Sequence, residues 1–188
     1  EDFNPAQGRK KGLVADFNLE KGEVHGKKSC KEEMLYLCRG HESWATVQQY
    51  GALQEEPNVP VPLFTFIGRL TAQKGVDLLL QAVSLLMMKS STEFQLLILG
   101  SGDSVLEQQL QELVEEKRFR GQLCFLKGYD PALALKIYAA GDFFLIPSLY
   151  EPCGLTDYIA QLFGNLPLVH HVGGLVKVID KKTGFAYQ

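Results

Sequence analysis

Two cations, Arg69 and Lys74, follow the apolar run Leu63 to Ile67 at a spacing of five residues, close enough to converge on one ligand. Arg offers a planar fork of donors and Lys a compact point charge. Together they suit a diphosphate, whose growing negative charge they would neutralise as a nucleoside diphosphate departs. One carboxylate, Glu151, stands in the run Pro147-Ser-Leu-Tyr-Glu-Pro-Cys-Gly-Leu-Thr156, on a loop with Pro and Gly, just ahead of an apolar helical stretch. Residue type leaves it four roles: nucleophile, general base, acceptor of sugar hydroxyls, or a carboxylate that stabilises a helix N-terminus.

The elements around these residues would put them at one end of a sheet. Asp142-Phe-Phe-Leu-Ile146 reads as a short strand buried on both faces, and Leu155 to Phe163 as the helix behind it. From Val61 onward strands and helices alternate: strands at 63–67, 94–99, 123–126, 142–146 and 166–169, helices at 75–88, 105–118, 131–140 and after Thr156. Alternation at this spacing predicts an α/β domain with a Rossmann-like parallel sheet flanked by helices. A carboxylate at a strand's C-terminal end, ahead of the next helix, then lies in the crevice where such sheets bind ligands. Residues 1–60 read as an irregular arm with a short helix near 27–38, and 61–188 as the globular domain. Trp44, Val47 and Tyr50 are candidates to cover an apolar patch.

Composition narrows the function classes. With 188 residues and 46% apolar composition the chain can bury one good core and is short for two domains. A net charge of −3 argues against a general nucleic-acid surface. Cys30, Cys38, Cys124 and Cys153 form no Cys-x-x-Cys pair and have no His at zinc-ligand spacing, so reduced thiols and no bound metal are expected. No stretch approaches 18 continuous apolar residues, so no membrane span is expected.

The Glu151-Pro-Cys-Gly-Leu-Thr156 run resembles the loop of the glycogen and starch synthases, which extend α-1,4-glucan from ADP-glucose. Gly68-Arg-Leu-Thr71 with Gln73-Lys-Gly75, Gly100-Ser-Gly-Asp103, Gly128-Tyr129 and Gly173-Gly-Leu175 stand in the same order as that family's other motifs. The resemblance covers about 27–187 and implies the second, donor-binding domain of a GT-B fold, truncated, with the first domain and its α-glucan acceptor surface absent. It implies that Arg69 and Lys74, beside Gly68, hold the diphosphate and that Glu151 holds the donor glucose hydroxyls. The amides of Cys153, Gly154, Leu155 and Thr156 would face glucose and phosphate. Tyr129 would stack on adenine, the amides of Gly173 and Gly174 would lie near the diphosphate, and no metal or other cofactor is called for. Cys153 is then not a nucleophile.

The same resemblance implies a cytoplasmic or plastid enzyme, inactive as the isolated chain and open to self-association through the face its first domain would cover. The alternative is a non-catalytic nucleotide-binding or regulatory module derived from a synthase. Asp157 stands where the family usually has Gln or Asn, Leu135-Lys136 where it has His-Arg, and His170-His171 where it often has two Arg.

Overall fold

The computed structural model describes residues 3–40, 44–54, 61–89 and 94–188. Seven strands run through them: β1 Val47–Gly51, β2 Leu63–Ile67, β3 Gln95–Gly100, β4 Leu123–Gly128, β5 Phe143–Ile146, β6 Leu166–His170 and β7 Phe185–Tyr187. They form one sheet in the order β1-β4-β3-β2-β5-β6-β7. β1 is antiparallel to β4, and every other neighbouring pair is parallel. The helices are α1 His25–Leu37, α2 Val76–Lys89, α3 Ser104–Glu115, α4 Pro131–Ala140 and α5 Thr156–Leu162.

Local chemistry starts the helices where the pattern predicts them. Asp103 accepts from the amides of Val105 and Leu106, and Asp130 from those of Ala132 and Leu133, with Pro131 in the first helical turn. β3 is buried at all six positions, as a central parallel strand must be. β5 departs from its expected burial on both faces, since Phe143 and Leu145 are only half-buried. The reason is the reach of α2. Its Leu79 and Val83 pack with Phe66, Leu96 and Ile98 over β2 and β3, and an apolar groove of about 550 Å³ remains where Leu145, Leu168 and Tyr187 meet α2.

Residues 1–60 carry more structure than an irregular arm. α1 buries Met34 and Leu35 in the same core cluster as Leu97, Leu133 and Ile137. Leu13, Phe17 and Cys30 join Phe144 and Phe163 in another, and Phe17 meets Phe163 edge-on at 6.2 Å. β1 extends the sheet, and Tyr50 stacks on Phe125 at 5.9 Å. β1 escapes hydrophobic patterning because two of its five residues are glutamines. Gln49 is satisfied locally: it accepts from Trp44 Nε1 at 2.7 Å and donates to the carbonyls of Cys38 and Gly51. The boundary expected at residue 60 falls within 55–60, outside the described residues. β7 was not anticipated either, as three residues are too few to show a period.

Lys27, at the start of α1, ties this N-terminal part to the sheet's helices. Its ammonium donates to the carbonyls of Ala139 at 3.2 Å, Gly141 at 2.7 Å and Phe163 at 2.9 Å, around the C-terminal ends of α4 and α5. Burial is the dominant influence and lowers its pKa to about 8, against the attraction of Asp142. The folded pKa lies below the unfolded one, so the unfolded chain holds more protons between about 8 and 10.5, and stability rises with pH across that window. Urea unfolding should therefore show the stability advantage of the wild type over Lys27→Met growing by about 2 kcal/mol between roughly pH 7.5 and 9.5. A constant difference would contradict the burial of this cation.

Candidate functional site

The chain moves from β2 through β3 to β4 on one side, then returns to build β5, β6 and β7 on the other. The C-terminal ends of β2 and β5 therefore flank the switch point, where open α/β sheets leave a crevice. Lys74 arrives on the loop after β2 and Glu151 on the loop after β5. Lys74 Nζ donates to Glu151 Oε2 at 2.6 Å, both side chains being largely shielded from solvent. The Ser148 hydroxyl donates to the same oxygen at 3.2 Å, and Ser148 is itself buried.

Backbone packing brings these loops together. Thr71 caps the 3-10 turn Ala72–Lys74, accepting from the Lys74 amide, and Gly75 ends it with φ 69°. A Cβ on Gly75 would lie 2.0 Å from the Pro147 carbonyl oxygen, so only glycine lets the two loops touch. The Leu149 amide donates to Gln73 O at 2.9 Å and completes the seam.

Arg69 is exposed on the same loop, and among the described residues no carboxylate pairs with it. The segment that carries it is fixed to the loop after β3: Gly68 N–H donates to Leu99 O at 3.1 Å, Leu70 N–H to Ser101 O at 3.0 Å and Asp103 N–H to Leu70 O at 2.8 Å. Gly100 and Gly102 serve this contact, because a Cβ on either would lie 2.1 and 2.4 Å from the carbonyl oxygens of Gly68 and Leu70. Tyr129 follows Gly128 at the C-terminal end of β4 and is 63% exposed, so its ring is available for stacking.

The Glu151–Thr156 loop leads into α5 through Gly154 at φ 62°. Among the described residues no protein acceptor meets the amides of Cys153, Gly154 or Leu155. Gly173 and Gly174, whose amides the resemblance puts near a diphosphate, stand against the Glu151 loop. The Gly174 amide donates to Glu151 O at 2.7 Å, and Cβ atoms on Gly173 and Gly174 would each lie 2.3 Å from a carbonyl oxygen, of Glu151 and Cys153 respectively. The lack of a Cβ lets both glycines pack against the loop, the Gly174 amide supports it, and the Gly173 amide meets no protein acceptor among the described residues.

Three residues near Glu151 were not singled out as site residues by sequence. Ser148 holds the carboxylate, His170 Nδ1 lies 3.0 Å from Ser148 O, and Lys177 reaches the loop from the 3-10 turn Gly173–Lys177. Ser148 lies in the Pro147–Thr156 run itself, so its signal is local. Lys177 has no such signal, since only the fold brings it back. Asp157, noted only as a departure, has no exposed surface. Burial pushes its carboxyl above the ordinary range, opposed by Lys177. The ammonium lies 3.3 Å from Oδ1, close enough to pair by charge, yet among the described residues neither carboxylate oxygen accepts a well-aligned hydrogen bond.

The architecture resembles that of known glycosyltransferases. The catalytic domain of Starch Synthase IV from Arabidopsis thaliana, bound to ADP and acarbose, aligns with all of this chain and 36% of its own length at TM-score 0.78 and 29% identity. This is a seven-stranded, GT-B-like α/β domain. The chain belongs to the glycosyl transferases group 1 family, whose model matches residues 53–188. Glycogen synthase of Flavobacterium johnsoniae is 37% identical over 175 residues, 93% of this chain and 32% of that protein. Glycogen synthase of Lacticaseibacillus casei is 43% identical over 139 residues, 71% of this chain and 28% of that protein. The chain thus spans about a third of the length of these curated relatives. No described helix is long and apolar enough to cross a membrane.

Proposed function

We propose that this chain is the donor-binding domain of a glycogen or starch synthase, binding ADP-glucose for transfer of glucose, with retention, to the non-reducing end of an α-1,4-glucan. The observation that carries the reading is the meeting of Lys74 and Glu151 at 2.6 Å across the switch point, with Arg69 on the Lys74 loop and, on the Glu151 loop, amides that meet no protein acceptor among the described residues. Lys74 and Arg69 neutralise the diphosphate, and Glu151 receives glucose hydroxyls. The amides of Gly154 and Leu155 add uncharged donors, and Tyr129 offers its ring to adenine. The supporting likenesses are the glycogen synthases above and a starch synthase structure that holds ADP.

Transfer needs donor and acceptor aligned across a cleft, an arrangement worth on the order of 7–11 kcal/mol. The isolated chain is therefore expected to bind donor without turnover. The acceptor glucan, self-association through an exposed apolar face, and a cytoplasmic or plastid location belong to the same reading.

Calorimetric titration with ADP and UDP tests the proposal. ADP is expected to bind in preference to UDP, and Arg69→Ala to weaken it about tenfold, the loss of one charge-assisted contact at an exposed position. A folded sample that binds neither nucleotide would sink the reading in favour of a non-catalytic module.

A further inference from the structure

Lys177 makes a set of contacts that an ordinary surface lysine does not. Its Nζ donates to Cys153 O at 2.9 Å and to Gly154 O, lies 3.3 Å from Asp157 Oδ1, and sits 3.9 Å from the centre of the Tyr158 ring. A trans peptide points its C=O and N–H in opposite directions. Holding the carbonyls of Cys153 and Gly154 toward Lys177 therefore turns the amides of Gly154 and Leu155 away from it, and these are amides without a protein acceptor among the described residues. Gly154 is at φ 62°, where a peptide unit has freedom to rotate unless something fixes it. Asp157 fixes the lysine in turn: it is wholly buried, and Lys177 is the cation beside it. A Cβ on Gly154 would meet both partners, 3.2 Å from Asp157 Oδ1 and 3.4 Å from Lys177 Nζ.

We infer that Lys177 is a positioning residue of the donor loop, locking the two peptide planes after Cys153 and Gly154 so that their amides face the anionic ligand, with Asp157 as its anchor. The inference rests on the donor-binding reading above and names a device within that site. Lys177 acts through the loop backbone and not through its own charge on the ligand. The two routes predict opposite signs for Asp157→Asn. Removing a negative charge near an anion site tightens binding if charge alone matters, and weakens it if the carboxylate holds the lock.

The test uses the whole 188-residue chain, with folding of each variant checked by circular dichroism. ADP affinity is measured by calorimetry, and the order of the Gly154 and Leu155 amides by heteronuclear 15N NOE without ligand. Lys177→Met is expected to lower both NOE values and to weaken ADP about tenfold, Lys177→Arg to restore most of each, and Asp157→Asn to weaken ADP several-fold. Unchanged NOE values in a folded Lys177→Met, or tighter ADP binding in Asp157→Asn, would overturn the inference. Should the wild type bind no ADP, the donor reading falls by itself, and the NOE values alone decide whether Lys177 locks the loop.

Discussion

Alanine at Gly75 is expected to lower the melting temperature by on the order of 10 °C and to abolish ADP binding by any folded remainder. Two costs add at this position. The left-handed backbone, φ 69°, disfavours any residue with a Cβ by roughly 1–2 kcal/mol. The Cβ would also stand 2.0 Å from Pro147 O, and a carbonyl in a packed backbone seam cannot turn aside as a flexible side chain would. The loops after β2 and β5 must then separate, drawing Lys74 away from Glu151. Gly12→Ala is the matched control. Gly12 has φ 87° with nothing within 4 Å of the new Cβ, so it reports backbone strain alone and should cost about 1 kcal/mol. Equal effects of the two substitutions in thermal melts would show that the seam between the loops is not what holds the site.

The second large effect concerns the Lys74–Glu151 pair, whose members should respond to substitution with opposite signs. Lys74→Ala removes the better shielded of the two cations proposed to hold the diphosphate and leaves Glu151, at 2.6 Å in the wild type, as an unopposed negative charge. ADP affinity should fall about 100-fold, the sum of a lost charge-assisted bond and an added repulsion. Glu151→Gln keeps the shape of the side chain, releases Lys74 from its competing carboxylate and removes the repulsion. ADP should bind several-fold more tightly. Binding of ADP-glucose should not gain in the same way, because the sugar loses a charged acceptor for its hydroxyls. Calorimetry with both ligands on the two variants separates the roles. Weaker ADP binding in Glu151→Gln would mean that Glu151 organises the phosphate site itself.

The sequence identified most of the residues that the fold assembles, because motif and period are local properties. Arg69, Lys74 and Glu151 were readable from charge beside apolar runs. β2 and α4 were bounded at their observed ends, since Pro131 and Asp130 mark the helix start and a run of apolar residues marks the strand. β1 was not legible, because Gln48 and Gln49 break its apolar pattern and its pairing with β4 is decided across 72 or more residues of intervening chain. The packing of Leu13, Ala15 and Phe17 was missed although their alternation is visible in the sequence. Without the surface of α4 and α5 to receive them, nothing distinguished that alternation from chance.

Residue type and local order thus determined by themselves that an α/β sheet would form, that its strand ends would carry two cations and a carboxylate, and that glycines would stand in the loops between. Tertiary structure alone decided which strand ends are neighbours. The reversal of strand order at β2 puts the loops after β2 and β5 side by side, so Lys74 meets Glu151 across the crevice and Gly75 has the Pro147 carbonyl against it. It also brings Lys177 beneath the Gly154 loop and encloses Asp157 with it. Sequence spacing contains no measure of these approaches, because each is set by backbone contacts between segments that are distant along the chain.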